Sequence, residues 1–114
     1  MEKRYPVMAL GAAIIPWNED FTLDEALFRK ELRSMLDGGL RYIYTFGTAG
    51  EGFAVNDEEF LSITRIFIDE LEGTEATPIV GCISLSATQI ISRLESAYEL
   101  GARYFQISFP SWGR

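Results

Sequence analysis

Short apolar runs alternate along the chain with longer segments whose apolar residues recur at helical spacing. Four runs have the length and the β-branched or aromatic content of strands buried on both faces: Val7–Ile15, Tyr42–Phe46, Pro78–Ile83 and Tyr104–Phe109. The three stretches between them carry apolar residues three or four positions apart and charged residues on the opposite side, which predicts amphipathic helices. Their apolar members are Leu23, Ala26, Leu27, Leu32, Met35 and Leu36 in the first, Phe60, Ile63, Phe67 and Leu71 in the second, and Ile90, Ile91, Leu94, Ala97 and Tyr98 in the third.

Residues that favour helix ends stand at both ends of each predicted helix. Thr22 with Glu25 fits a capping box before the first helix, and Ser86 with Gln89 fits one before the third. Asn56 is the predicted N-cap of the second helix. Glycines that can end a helix in a left-handed conformation follow all three: Gly38 and Gly39, Gly73, and Gly101.

The resulting order, βαβαβαβ, predicts a parallel sheet with right-handed crossovers. Two architectures share this order, a doubly wound sheet and a (β/α)8 barrel. A complete barrel needs roughly 250 residues, whereas these 114 residues hold about three and a half βα units. The fourth predicted strand has no helix after it, and a sheet ending there would have unpaired apolar edges, which proteins avoid. We therefore expect residues 1–114 to be the N-terminal part of a single larger domain that stops after its fourth strand.

Composition and charge argue against several classes of protein. The net charge of −7 disfavours binding to nucleic acid or to an anionic membrane surface. No apolar run reaches the roughly 18 residues of a membrane-spanning helix. Val7–Ile15 leads into a proline rather than a cleavage site, so it is interpreted as a strand and not a signal peptide. The expected location is the cytoplasm.

Few residue types that commonly supply catalytic or metal-binding groups are present. The chain has no histidine, which removes Ser-His and Cys-His catalysis and most zinc sites. The single cysteine, Cys82, lies inside an apolar run and is interpreted as a small buried hydrophobe. Acidic clusters occur at Glu19-Asp20, at Asp57-Glu58-Glu59, and at Asp69-Glu70 with Glu72. None has the spacing of a calcium loop, so no metal site is expected.

The segment with candidate chemistry is Gly47-Thr48-Ala49-Gly50-Glu51-Gly52, between the second strand and the second helix. Ligands of parallel α/β proteins bind beyond the carboxyl ends of the strands. Glycines let the backbone approach a ligand, their N–H groups can cradle a carboxylate, and the hydroxyl of Thr48 can relay a proton or bond an oxyanion. The segment lacks the G-x-G-x-x-G of a dinucleotide site and the Gly-Lys-Ser/Thr ending of a P-loop. On pattern alone, a tight turn without function is an equal alternative.

The same segment resembles the Gly-Thr-Thr-Gly-Glu motif of the dihydrodipicolinate synthase/N-acetylneuraminate lyase family. Further segments resemble that family in the same order along nearly the whole chain: Ala12–Pro16 its first strand, Gly38–Leu40 the step before the second strand, Phe53–Glu59 the entry to the second helix, Pro78–Gly81 the third strand, and Ala97–Ala102 the turn before the fourth.

The resemblance implies a (β/α)8 barrel and a pyruvate-dependent class I aldolase. In this family a lysine on the sixth strand forms a Schiff base with a 2-oxo acid, and the enamine that follows adds to an aldehyde or is protonated. The resemblance implies no metal or organic cofactor, and commonly a homotetramer. The chain's two lysines are Lys3, in the N-terminal tail, and Lys30, on the polar face of the first helix. The Schiff-base lysine is thus expected outside this chain, and the 114 residues alone are expected to be inactive.

Site residues follow from the resemblance position by position. Thr48 matches the threonine of the proton relay and is the catalytic candidate. Gly47, Ala49, Gly50 and Glu51 are expected to contact or orient the substrate. Ala49 replaces a Thr or Ser whose hydroxyl helps hold the substrate carboxylate, a hydrogen bond of about 1.5–3 kcal/mol, although its N–H can still bind.

Trp112 is the remaining substrate-binding candidate. It follows Pro110-Ser111, where synthases of the family tend to have Pro-Tyr-Tyr, and an indole cannot shuttle a proton as a phenol can. A tryptophan after this proline resembles the pattern of hydratase-aldolases that act on bulky or aromatic substrates. Packing at the rim of the barrel is an equal alternative for Trp112, and the role of Trp17 is equally open. Three other hypotheses stay open: a non-catalytic member that binds a keto acid or sugar acid, an inactive fragment, and a doubly wound nucleotide-binding domain.

Overall fold

The computed structural model describes residues 7–108, and within them the predicted order of strands and helices is confirmed. The elements are β1 (Leu10–Ala12), α1 (Glu25–Asp37), β2 (Tyr42–Thr45), α2 (Asp57–Leu71), β3 (Thr77–Gly81), α3 (Ala87–Glu99) and β4 (Tyr104–Gln106). The first strand is shorter than predicted at both ends, because residues 7–9 and 13–15 lie outside it. The fourth strand ends at Gln106, before its predicted end at Phe109, which itself lies outside the described residues.

The four strands form one parallel sheet in the order β1-β2-β3-β4. Helix α1 packs against α2, and α2 packs against α3. Because each right-handed crossover adds its strand on the same side, the helices line up along one face of the sheet. A doubly wound sheet reverses direction and carries helices on both faces. The observed order is that of the first units of a (β/α)8 barrel, so the alternative of a doubly wound domain is wrong.

The two faces of the sheet differ in burial. Ile43, Thr45 and Val80 point to the helices and are fully buried, in a core that also contains Phe28, Leu32, Phe60 and Phe67. The alternate positions belong to what we call the open face: Leu10, Ala12, Tyr42, Tyr44, Ile79, Tyr104 and Gln106, all half-buried or exposed. Within the described residues the strands are therefore buried on one face, not on both as their composition predicts.

The predicted N-caps of α2 and α3 are confirmed. Asn56 Oδ1 accepts the backbone N–H of Glu59 at 2.8 Å, and Glu59 Oε1 accepts the backbone N–H of Asn56 at 2.9 Å, which completes a capping box. Ser86 Oγ accepts the N–H of Gln89 at 3.3 Å. The second half of the box predicted at Ser86 is missing, because the side chain of Gln89 bonds Asp57 and Ser84 instead.

The capping box predicted at the start of α1 is wrong. Asp24 is the N-cap, and its Oδ1 accepts the N–H of Leu27 at 3.0 Å. Thr22 lies two residues earlier, where its hydroxyl donates to Asp20 Oδ1 at 2.6 Å. Aspartate and threonine are both good caps, so the sequence alone did not distinguish them.

Two predicted helix faces are rotated relative to the structure. On α1, Leu27 is half exposed whereas Phe28 is fully buried; on α3, Ile91 and Tyr98 are more than half exposed whereas Arg93 is buried. Adjacent residues of a helix point in directions about 100° apart. When the apolar stripe is broad, the sequence does not show which of its residues face the core. None of the helices within residues 7–108 is long and apolar enough to span a membrane.

The glycines predicted to end the helices do so. Gly39, Gly73 and Gly101 follow α1, α2 and α3 with φ values of 94°, 76° and 111°. Side chains are disfavoured in this left-handed region, which glycine enters readily.

Cys82 is fully buried, as predicted, and burial raises the pKa of its thiol to about 11. We expect Cys82 of the native full-length protein to resist iodoacetamide at pH 8.5 and to react once urea unfolds the chain, because the thiolate is the nucleophile. Because the pKa of the thiol is higher in the folded than in the unfolded protein, the free energy of unfolding should also fall as pH rises above the unfolded pKa of about 8.5. Peptide mapping by mass spectrometry measures the alkylation; rapid modification of the native protein would contradict it.

Candidate functional site

The motif loop, residues 47–52, leaves the carboxyl end of β2 as predicted. Gly47, Gly50 and Gly52 are buried, while Thr48, Ala49 and Glu51 are exposed. The glycines pack the loop against the protein, and the residues between them face outward. Five of the six predicted site residues, Gly47 to Glu51, thus lie together; the sixth, Trp112, is outside the described residues.

Hydrogen bonds close the motif loop on itself. The N–H of Gly52 donates to the carbonyl of Gly47 at 3.0 Å, and the N–H of Glu51 donates to the carbonyl of Thr48 at 3.2 Å. The N–H groups of Thr48 and Ala49 have no acceptor among residues 7–108. Two consecutive unpaired amides on an exposed turn can bind an anion.

Two residues, one just before the motif loop and one within it, adopt a left-handed backbone without being glycine. Phe46 has a φ of 61° and Glu51 a φ of 60°. Such conformations cost on the order of 1–3 kcal/mol and persist where the surrounding structure imposes them, often at functional sites. Nothing in the sequence predicted them, since neither residue type favours this region.

The carbonyl of Phe46 explains two of the nearby glycines. A Cβ added at Gly52 would lie 2.1 Å from Phe46 O, and one added at Gly81 would lie 2.4 Å from it. The motif loop, the end of β2 and the end of β3 therefore meet so closely that only hydrogen fits at these positions.

Glu51 is held by Trp17. The indole Nε1 donates to Glu51 Oε2 at 2.9 Å, across 34 residues of sequence. The bond ties the far end of the motif loop to the segment after β1. The sequence did not predict this contact between Trp17 and Glu51.

Two polar side chains that the sequence did not mark as site residues approach the loop from the open face. A Cβ added at Gly47 would lie 2.5 Å from Tyr44 Cε2 and 3.1 Å from Gln106 Oε1. Gln106 Oε1 is buried and has no donor within the described part of the chain. The sequence could have indicated Tyr44 and Gln106 as site residues, because both carry polar groups and lie near the carboxyl ends of apolar strands.

Beside the motif loop is an open cavity of about 680 Å³, whose lining includes Thr48, Gly52, Ile83, Ser84, Gln89 and Arg93. Arg93 and Gln89 both donate to Asp57 Oδ1 at 3.1 Å. These bonds, first that from Arg93, hold the pKa of the Asp57 carboxyl below its ordinary value. Among residues 7–108, no three His, Cys, Asp or Glu side chains gather as metal ligands do.

The chain is similar to known proteins over nearly its whole length. The model of the dihydrodipicolinate synthetase family matches residues 7–106. The 4-hydroxy-tetrahydrodipicolinate synthase of Methanothermobacter thermautotrophicus is 30% identical over 103 residues, which are 90% of this chain and 36% of that protein. The synthase of Xanthomonas campestris pv. campestris is 30% identical over 106 residues, 92% of this chain and 34% of that protein. The chain thus spans about a third of the length of these relatives.

Solved structures share the fold. The 4-hydroxy-tetrahydrodipicolinate synthase of Methylacidiphilum fumariolicum SolV superimposes with a TM-score of 0.85 at 21% identity, over 96% of this chain and 36% of that one. The N-acetylneuraminate lyase of Proteus mirabilis superimposes with a TM-score of 0.84 at 19% identity, over 95% and 37%. Both likenesses agree with the barrel topology.

Proposed function

The chain belongs to the dihydrodipicolinate synthetase family, and on that premise we propose that it supplies the first βα units of an aldolase or lyase that acts on a 2-oxo acid through a lysine Schiff base. The substrates are a pyruvate-like 2-oxo acid and an aldehyde. We further propose a cytoplasmic homotetramer that needs no metal or organic cofactor and binds neither nucleic acid nor membrane.

The observation that carries the proposal is that amides of the motif loop are unpaired. The N–H groups of Thr48 and Ala49 have no acceptor within residues 7–108, and a 2-oxo acid has a carboxylate that can accept both. A hydrogen bond to a charged group contributes about 1.5–3 kcal/mol. The buried glycines on either side hold the two amides in place, so little ordering is required when the substrate binds.

The chemistry also needs an amine and a proton relay. The lysine amine attacks the ketone carbon of the 2-oxo acid, water leaves, and the resulting iminium loses a proton to form an enamine. We assign Thr48, an exposed residue near the start of the loop, to the relay of protons. Lys30 is exposed on α1 and is not part of the motif loop, so a lysine outside this chain is proposed as the nucleophile.

Two departures from the family pattern bear on the aldehyde. Ala49 lacks the hydroxyl that would add a further bond to the carboxylate, and Trp112 stands where a phenol would relay protons. We propose a hydratase-aldolase-like enzyme for a bulky or aromatic aldehyde rather than a true dihydrodipicolinate synthase. Ala49 equally fits a second candidate, a member that binds a keto acid or sugar acid without turnover.

Intact-mass spectrometry of the full-length protein after treatment with pyruvate and borohydride tests the proposal. We expect one reduced pyruvate adduct per chain, because borohydride traps the iminium. Lactate in place of pyruvate is the control, since it carries the carboxylate but no ketone, and it should give no adduct.

Two other results are informative. Thermal stabilisation by pyruvate without an adduct would support the binding protein and reject the enzyme. If high concentrations of pyruvate give neither an adduct nor thermal stabilisation, both the enzyme and the binding protein are rejected.

A further inference from the structure

Arg93 is a buried cation on the side of α3 that faces the motif loop. Its side chain is 6% exposed, and its ion-pair partner Asp57 is 70% exposed. Burying a guanidinium costs several kcal/mol unless its N–H groups are bonded. A cation at a core position of a helix therefore needs an explanation from its contacts.

Within residues 7–108, the hydrogen bonds of the guanidinium go to the last residue of the motif loop, to the segment after it and to the first residue of α2. One terminal nitrogen donates to Val55 O at 2.8 Å, the other to Gly52 O at 3.3 Å, and Nε donates to Asp57 Oδ1 at 3.1 Å. The planar, rigid fork of arginine matches such a set of acceptors, which the ammonium of lysine cannot reproduce.

These contacts reach both ends of the motif loop. Gly52, whose carbonyl Arg93 holds, donates its own N–H to Gly47 and so closes the loop. The guanidinium also lies over the ring of Phe60, 5.1 Å from its centroid, and that ring lies 5.1 Å from the ring of Phe46, the left-handed residue just before the loop.

We propose that Arg93 is a positioning residue that fixes the motif loop so that the N–H groups of Thr48 and Ala49 are placed for the carboxylate of a 2-oxo acid. The inference rests on the proposed function. Arg93 acts through Gly52 at one end of the loop and through Phe60 and Phe46 at the other.

The test compares Arg93→Met and Arg93→Lys in the full-length protein with Arg33→Met. Arg33 is the matched control, because it also lies on a helix and pairs with a carboxylate, Glu70, at 2.8 Å, but is 71% exposed and away from the loop. Two quantities are measured below the melting temperature of each variant: amide hydrogen exchange of residues 47–55, and the pyruvate concentration that gives half-maximal adduct.

We expect faster exchange at the bonded amides of Glu51, Gly52 and Ala54 in Arg93→Met, and a half-maximal pyruvate concentration raised about 10–100-fold, as displaced binding groups produce. Arg93→Lys should fall between that variant and the unsubstituted protein. Arg33→Met should match the unsubstituted protein in both measurements.

A folded Arg93→Met with unchanged exchange and unchanged pyruvate dependence would overturn the inference. If Arg93→Met does not fold, the same two measurements on Arg93→Lys test the inference, and unchanged values there would overturn it. Absence of an adduct in the unsubstituted protein rejects the proposed function instead, and the exchange rates then still show whether Arg93 holds the loop.

Discussion

Replacing Phe60 with alanine is expected to lower the free energy of unfolding by about 3–5 kcal/mol, the usual cost of deleting a buried aromatic ring. Phe60 is 1% exposed in the core between sheet and helices. The same substitution removes the ring under the guanidinium of Arg93, a contact of about 0.5–2 kcal/mol. The total is a large fraction of the stability of an ordinary domain.

Urea unfolding followed by circular dichroism measures this effect in the full-length protein. Phe53→Ala is the matched control, because Phe53 is 55% exposed and should change stability by less than about 0.5 kcal/mol. Similar losses in the two variants would show that Phe60 is not the core residue described above.

On the proposed mechanism, Thr48→Val lowers kcat by about 10²–10⁴-fold, the range for removing a group that transfers protons. Valine keeps the shape of threonine and the backbone N–H but has no hydroxyl. The affinity for the 2-oxo acid should therefore change much less than kcat, since the backbone amides that bind the carboxylate remain.

Steady-state kinetics with pyruvate, together with borohydride trapping, separate the two effects. Thr48→Ser retains the hydroxyl and should keep most of the activity. Thr64→Val is a control for the isosteric change itself, because the Thr64 hydroxyl is buried with no partner in the described residues. A Thr48→Val enzyme with normal kcat would remove Thr48 from the relay.

Much of the architecture was predictable from local patterns. The alternation of strands and helices, the Asn56 cap and the glycines at 39, 73 and 101 depend on residues within a few positions of each other. Hydrophobic period, capping geometry and backbone freedom are properties of short segments. The motif loop was placed correctly for the same reason, as it follows a strand and precedes a capped helix.

Errors arose where two local solutions had similar energies. Asp24 and Thr22 both suit an N-cap, and Leu27 and Phe28 both fit an apolar stripe. The first choice depends on where the chain after β1 enters α1, and the second on which side of α1 meets the sheet. Neither the N-cap nor the buried side of α1 can be determined from the residues of that segment alone.

The sequence by itself determined the order of elements, the helix ends and the position of a glycine-rich loop that resembles a family motif. Only the tertiary structure decided how that loop is held: Trp17 on Glu51, Arg93 on Gly52, and Phe46 strained between Gly52 and Gly81. The physical reason is separation along the chain. Trp17 and Arg93 meet their partners across 34 and 41 residues, so these contacts exist only once strands and helices have packed together.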